Sequence, residues 1–245
     1  MVSSKQQNPI KALASLPRGA PLDVVSLKEV GVSSSLASFY VRAGWLVRLG
    51  RGAFMFPGDT LQIGLTTKFL ARRLPGLHVG GKTALAWRGV RHNVGPFERL
   101  CLWGEQPASL PQWFTRRFPS DYVAWSLYDP DLPTGFGLQA LPETPDGPAV
   151  SVPERALLEL LSGVRMRQGL EEARNIMEGV RSPRMEVLGP LLKHCQRVKV
   201  VRLCVQWAEE LNLSWAAEAR KLAGVRGRGR WCGKLPDGST LILKP

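Results

Sequence analysis

Four glycines, at positions 31, 44, 50 and 52, divide residues 23–56 into pieces that read as a short helix, a second helix and a hairpin. The first piece opens at Asp23 and stops at a turn on Gly31. In the second, Leu36, Tyr40 and Ala43 recur at i, i+4 and i+7 with Phe39 beside them, which predicts one apolar face. Ser33 or Ser34 suits the N-cap, where a hydroxyl accepts an orphan backbone N–H, and Gly44 suits the left-handed residue that ends the helix. The third piece is two apolar runs, 46–49 and 53–56, around Gly50-Arg51-Gly52, whose glycines allow the positive φ angles of a tight hairpin.

Two helices about a short turn, then a hairpin with arginine at its tip, predict a winged helix-turn-helix. In that arrangement the second helix enters the major groove of DNA and the wing reaches the adjacent backbone. The helix face opposite the apolar one carries Ser34, Ser35, Ser38 and Arg42, small or basic with no acid among them, and these are the expected groove contacts. Arg48 and Arg51, on the wing, are expected on phosphate or in the minor groove.

Charge supports a polyanionic partner once the chain is divided. Of a net +13, residues 1–97 hold 13 Lys/Arg against 3 Asp/Glu, residues 98–192 hold 9 against 13, and residues 193–245 hold 11 against 4. Both ends are basic and the middle is mildly acidic, a segregation suited to neutralising phosphates. A charged fraction of 22% with 44% hydrophobic residues describes a globular chain. No apolar run approaches the ~20 residues of a membrane helix, and residues 1–9 lack the layout of a secretory signal. Four scattered cysteines (101, 195, 204, 232) without a Cys-x-x-Cys pair indicate neither a zinc site nor a disulfide framework, so a cytoplasmic protein with reduced thiols is expected.

Along the chain, residues 5–16 read as a short helix ended by Pro17-Arg18-Gly19. Leu61, Leu65, Phe69, Leu70 and Leu74 stripe a helix whose Lys68, Arg72 and Arg73 add to the basic surface. A strand at 77–79 and a helix at 81–89 complete a first domain, residues 1–95, closed at the Gly95-Pro96 break. In the second, residues 96–245, proline-punctuated strands are expected at 100–103, 113–118, 122–128 and 136–141. Ser151-Val-Pro-Glu154 reads as a capping box opening a largely buried helix. Helices patterned by Leu170, Ala173, Ile176, Met177 and Val180, then over 185–196 and 198–211 (Val198, Val201, Val205 and Ala208 inward), follow. A Gly/Arg-rich stretch at 224–230 and a hairpin around Pro236-Asp237-Gly238 close the chain. The fold class is α+β: an N-terminal winged helix-turn-helix domain plus a C-terminal α+β domain.

One stretch matches an enzyme signature. Gly76-Leu-His-Val-Gly-Gly81-Lys82-Thr83 fits the P-loop pattern, whose chemistry needs a buried strand before the first glycine. Here a basic amphipathic helix precedes it and the strand lies inside the loop. The stretch is therefore read as a strand–turn–helix, with Gly80 and Gly81 at the bend and Thr83 helping to start the helix. A nucleotide-dependent enzyme using Lys82 and Thr83 is the competing class. His78, His92 and His194 share no metal-ligand spacing, and His78 is expected to be packed. Glu171/Glu172 and Glu209/Glu210 are adjacent pairs that diverge by about 100° on a helix, which suits solvated faces rather than a shared proton. No catalytic residue, metal or cofactor is expected. Near the C-terminus, Lys193, Arg197, Lys199 and Arg202 form a second basic cluster, a candidate second nucleic-acid surface, with Trp207, Trp215 and Trp231 either core or available for stacking.

Several fragments, in order, resemble the AbiEi antitoxins: Leu16-Pro-Arg-Gly19, Ala43-Gly-Trp-Leu-Val-Arg-Leu-Gly-Arg-Gly-Ala53, and His78-Val-Gly-Gly-Lys-Thr-Ala-Leu85. Leu110-Pro-Gln-Trp-Phe114, Ser151-Val-Pro-Glu-Arg-Ala-Leu-Leu-Glu-Leu-Leu161, Met177-Glu-Gly179 and Val198-Lys-Val-Val-Arg-Leu203 continue the match, which runs from about residue 13 to 211. The resemblance implies a bacterial antitoxin from a two-gene abortive-infection (phage defence) locus. Its winged helix would bind inverted repeats in duplex DNA of its own promoter and repress transcription. Its C-terminal domain would contribute to repression and counter an AbiEii-like nucleotidyltransferase toxin, with no need for the two proteins to bind directly. Residues 216–230 depart from the family pattern. A monomer in solution that pairs on DNA is expected. The alternative is an ordinary winged-helix transcription factor whose second domain senses a ligand or partner.

Overall fold

A computed structural model of the chain describes residues 9–91, 99–225, 227–234, 238 and 240–244. Contacts divide the chain into two compact units, Met1–Arg73 with Leu110–Phe118, and Leu74–Ser109 with Pro119–Pro245.

The first unit begins α1 (Pro9–Ala14), β1 (Leu22–Asp23), α2 (Val24–Glu29), α3 (Ser34–Arg42), β2 (Val47–Gly50), β3 (Ala53–Met55) and α4 (Ile63–Ala71). The strands form an antiparallel sheet in the order β1-β3-β2, with Leu22 opposite Phe54 and Val47 opposite Met55. Leu13, Leu22, Leu27, Val32, Ala37, Tyr40, Leu46, Phe54 and Phe56 are its buried core, so α2, α3 and the hairpin bury apolar surface against one another. The inward phase of α3 differs from the expected one. Ala37 and Tyr40 face the core, whereas Phe39 is 52% exposed and Ala43 is exposed. Successive helical residues are about 100° apart, so seating Tyr40 in the core turns Phe39 outward.

The second unit starts with β4 (His78–Val79), α5 (Gly81–Trp87) and β5 (Leu100–Gly104). The chain then contributes α6 (Gln112–Thr115) to the first unit. There the Trp113 ring meets Phe69 edge-on at 6.2 Å, and the tilted rings of Phe114 and Phe118 lie 5.3 Å apart. A strand had been expected at 113–118. Pro111 at the N-cap and the four-residue spacing of the buried Phe114 and its partner Phe118 favour a helical turn over the β preference of aromatic residues. Gly50 is needed for close approach, not for a positive φ: a Cβ there would lie 2.9 Å from Trp113, and only Gly52 of the turn glycines is left-handed, at φ 64°.

The second unit continues with β6 (Ser120–Ala124), β7 (Leu138–Gln139), β8 (Val150–Ser151), α7 (Pro153–Gly163), α8 (Leu170–Glu178), α9 (Met185–His194), α10 (Val198–Glu210), α11 (Ala216–Ala223), β9 (Trp231–Lys234) and β10 (Thr240–Leu243). Five strands order as β6-β5-β4-β8-β7, with β5–β6 and β4–β8 parallel and the other pairs antiparallel. The nearly all-buried α7 packs on α5, α9 and α10, and α11 packs on α9 and α10. Strand β4 and helix α5, read from sequence as the end of the first domain, lie in the second unit, β4 between β5 and β8 in its sheet and α5 packed on α7; the Gly95-Pro96 break lies outside the described residues.

Strands expected at 122–128 and 136–141 shorten to β6 and β7. The capping box does not form. Val152 is the N-cap with Pro153 at the first helical position, while the Ser151 hydroxyl donates to Glu159 and the Glu154 carboxylate accepts from Arg184. Helix α11 was not anticipated, and Val198 is exposed rather than inward. Strands β9 and β10 pair antiparallel, with the Pro236-Asp237 turn outside the described residues.

Candidate nucleic-acid interface

The helix-turn-helix is built from local bonds. Asp23 caps α2, accepting from Ser26 N at 2.7 Å and from the Ser26 hydroxyl at 2.9 Å. Burial pushes this carboxyl up, but the Ser26 bonds with Arg72 and Arg73 outweigh it and hold it below its usual range. Gly31 turns the chain at φ 79°, and Val32 N donates to Leu27 O at 2.8 Å. Ser33 caps α3 by accepting from Leu36 N at 3.2 Å, and Gly44 ends it at φ 76°.

Ser34, Ser35 and Arg42 are exposed on α3, and Ser38 is half-exposed with its hydroxyl donating to Ser34 O at 2.9 Å. The Ser35 hydroxyl is 2.9 Å from that of Ser33. Arg48 and Arg51 are exposed on the hairpin. The Arg48 guanidinium lies 5.3 Å from the Phe54 ring centroid, held along the strand by a cation–π contact. A groove of about 210 Å³ brings Ser34, Ser38 and Arg48 together with Gly52; Ser35, Arg42 and Arg51 lie outside it. Sequence reasoning missed the brace of the wing tip. Arg73 donates to Gly52 O at 2.9 Å, so this arginine, read as part of a basic surface, positions the turn that carries Arg51. Its neighbour Arg72 pairs with Asp23 at 3.6 Å.

The C-terminal cluster separates residue by residue. Lys193 is exposed; Arg202 is buried, donating to Gly229 O at 2.5 Å. Lys199 donates to Val164 O at 2.6 Å, and burial, followed by Arg165 and Arg197, pulls its amine down to about 8. The Arg197 guanidinium lies 4.3 Å from the Trp125 ring centroid. Trp207 and Trp215 are core, the latter donating to Val180 O at 2.9 Å, and only Trp231 of the three is half-exposed. Arg165, Arg167 and Trp125 belong to the same patch and were not singled out. The signal was Arg165-Met-Arg167 closely flanked by Gly163 and Gly169.

A family model described as "Transcriptional regulator, AbiEi antitoxin N-terminal domain" matches residues 5–95, and one described as "Transcriptional regulator, AbiEi antitoxin, Type IV TA system" matches residues 97–231. The chain belongs to the AbiEi antitoxin family. As an AbiEi member it is a transcriptional regulator and antitoxin of a type IV toxin–antitoxin system. Its fold is similar to the crystal structure of the Rv2827c protein from Mycobacterium tuberculosis, with a TM-score of 0.58 at 16% identity over 94% of this chain and 87% of that one. None of the curated proteins matches the sequence.

Within this AbiEi chain the P-loop-like stretch has a structural use. Gly76 is left-handed at φ 67°, β4 lies inside the motif, and the Gly81 N–H donates to Glu159 Oε2 at 3.0 Å. Lys82 pairs with Glu172 at 3.3 Å, and the Thr83 hydroxyl accepts from Cys101 N at 2.9 Å instead of starting the helix. The amide, amine and hydroxyl that a phosphate would use are thus engaged within the protein. Buried Glu159 also accepts from His78 Nε2 at 3.0 Å, Ser151 Oγ at 2.8 Å and Arg155 Nε at 2.9 Å. Burial pushes its carboxyl up, but His78 and then Arg155 outweigh that and bring it down to about 2. His78 Nδ1 faces Gly76 O at 2.7 Å. Both ring nitrogens are thus engaged within the fold. A Cβ at Gly80 would run into the Glu159 carboxylate and Trp103, so glycine is required there. The paired glutamates prove ion-paired at the surface, Glu209 to Arg220 and Glu210 to Arg174, both at 2.6 Å.

Among the described residues no group of His, Cys, Asp and Glu is arranged to hold a metal ion, and no helix is long and apolar enough to cross a membrane.

Proposed function

We propose that this protein is the antitoxin and autorepressor of a bacterial abortive-infection operon, acting in the cytoplasm. It binds inverted repeats in its own promoter through Ser34, Ser35, Ser38 and Arg42 in the major groove and Arg48 and Arg51 on the backbone. The observation that supports this most is an exposed helix face of small and basic side chains continuous with an arginine-tipped, braced wing. Residues 1–95 carry operator binding. Residues 96–245 counter an AbiEii-like nucleotidyltransferase toxin, an action that needs no direct binding. The protein is a monomer in solution and pairs on DNA, with half-sites about one helical turn apart or a multiple of it.

A gel shift with the protein's own upstream DNA against random duplex, over a salt series, tests the repressor reading. Tight, salt-sensitive preference for the upstream DNA is expected; equal affinity for both sinks autorepression. If Arg51 binds phosphate, Arg51→Ala should weaken all duplex sequences alike and reduce the slope of log K against log salt by roughly one. An unchanged slope would remove Arg51 from the site.

A second reading, a winged-helix regulator whose second domain senses a small molecule, is favoured by one observation. A cleft of about 420 Å³ in the second unit is lined by Trp103, Trp125, Tyr128, Glu105 and Arg155. Growth rescue from the co-expressed toxin of the adjacent gene discriminates the two, since a ligand-sensing regulator gives none.

A further inference from the structure

We propose that the cationic patch at the start of α10 binds single-stranded nucleic acid, its ring-backed guanidiniums receiving unpaired bases and its other N–H groups the phosphates. This is a site distinct from the operator-binding face and does not depend on that reading.

The patch is assembled from four places in the second unit. Arg165 and Arg167 stand on the loop after α7, which closes on Gly163 O through the N–H groups of Met166, Arg167 and Gln168 at 2.9, 3.0 and 3.1 Å. The loop holds Arg165 at φ 77°, a conformation that side-chain-bearing residues rarely adopt. Arg197 and Lys199 come from the start of α10. The aromatic components are Trp125, just after β6, and Trp231, in β9. The Arg167 and Arg197 guanidiniums lie 4.5 and 4.3 Å from the Trp125 centroid, and Arg165 and Lys199 lie 5.4 and 5.7 Å from that of Trp231. Arg165 is locked by a 2.7 Å bond to Lys234 O, and a Cβ at Gly233 would collide with it.

Among the described residues, no carboxylate lies within salt-bridge distance of any of these four cations. Four cations are thus gathered with no carboxylate in salt-bridge contact, and Arg165 and Arg197 add, after burial, to the lowering of the Lys199 amine. A polyanion supplies the counter-charge. The rings decide which polyanion. A guanidinium backed by an indole is held in place with its outer face available, and an unpaired base stacks on such a face while neighbouring N–H groups take phosphate. Bases in a duplex are already stacked and cannot reach it. An acidic protein would be served by the charges alone.

The test is fluorescence anisotropy of the full-length protein with a short labelled mixed-sequence RNA, the same sequence as single-stranded DNA, and its duplex. The variants are Arg167→Ala/Arg197→Ala, Arg167→Lys/Arg197→Lys and, as the operator-face control, Arg42→Ala/Arg51→Ala. The alanine pair should lose at least ~30-fold in single-strand affinity. Its slope of log K against log salt should be shallower by about 1.4 at most, at ~0.7 for each phosphate that the edge N–H groups of the two stacked guanidiniums also contact. The lysine pair, which keeps charge without the planar stack, should weaken nearly as much, and the control pair should bind single strands like the wild type. Preference for RNA over DNA would assign a role to the 2′-hydroxyl; equal affinity would assign binding to bases and phosphates. The proposal is overturned if the lysine pair binds like the wild type, or if the control pair binds duplex as tightly as single strands. If it fails, specific binding of the upstream duplex is untouched, so the two readings fall separately.

Discussion

Glu159→Leu should destabilise the second unit by about 3–5 kcal/mol, the range for removing one member of a buried ion pair. The side chain lies in α7 with no exposed surface and accepts from four donors on four segments: His78, Gly81, Ser151 and Arg155. Removing it leaves the Arg155 guanidinium without its counter-charge and His78 Nε2, the Ser151 hydroxyl and the Gly81 N–H without their partner, each costly in a low-dielectric interior. Against a typical total stability of roughly 5–15 kcal/mol, this is a large fraction. Chemical denaturation followed by the second unit's tryptophans would measure it. A loss under ~1 kcal/mol would mean that solvent reaches the network.

The same group sets an acid limit. Its carboxyl is lowered in the fold from 4.5 to about 2, so between those values the unfolded chain binds the extra proton and stability rises with pH. The stabilisation is therefore complete above pH 4.5 and lost as the pH falls towards 2. The stability gap between wild type and Glu159→Gln should narrow below pH 4.5; a constant gap across that range would assign the effect to packing instead.

What the sequence made legible follows the range of the interactions. The winged helix was readable because its determinants are local: the Ser33 cap, the left-handed Gly31, Gly44 and Gly52, and the short apolar runs. The inward phase of α3 was not, since Phe39 is as apolar as Tyr40 and only the packing of Leu27, Val32 and Phe54 selects between them. In the second unit's sheet β4 and β5 were legible as short apolar runs, but the strand order was not, because the strands are two to five residues long and paired out of chain order. Ser151 and Glu154 satisfied a local capping pattern, yet long-range partners, Glu159 and Arg184, claimed both. Glu159 itself could have been found. A carboxylate set among Leu157, Leu158, Leu160 and Leu161 must be buried and paired, and Arg155 stands four residues before it. The Arg165–Trp231 and Arg167–Trp125 pairs join residues tens of positions apart, which no spacing rule anticipates.

The combined Ser35→Ala, Arg42→Ala and Arg51→Ala variant should lose about 10²–10⁴-fold in affinity for the upstream DNA, given roughly 1–3 kcal/mol for each of the two base contacts, Ser35 and Arg42, and the loss of the Arg51 phosphate contact. The three side chains are chosen for what they do not do in the fold. Arg42 and Arg51 are exposed, and Ser35 shares only a hydroxyl contact with Ser33, whose cap on Leu36 stays intact. Ser38 is the weaker target because its hydroxyl proton is already given to Ser34 O. The fold should therefore survive, and a melting temperature equal to the wild type's would establish that the loss is one of recognition. Random duplex should weaken less, since only its phosphate contacts are touched, so the specificity ratio collapses as the affinity falls. An operator affinity unchanged by the triple substitution would remove this face of α3 as the reading surface. In cells, the variant should derepress its promoter while still rescuing growth from the toxin, because every substitution lies in the first unit. Loss of both activities together would mean that DNA binding is itself part of how the toxin is restrained.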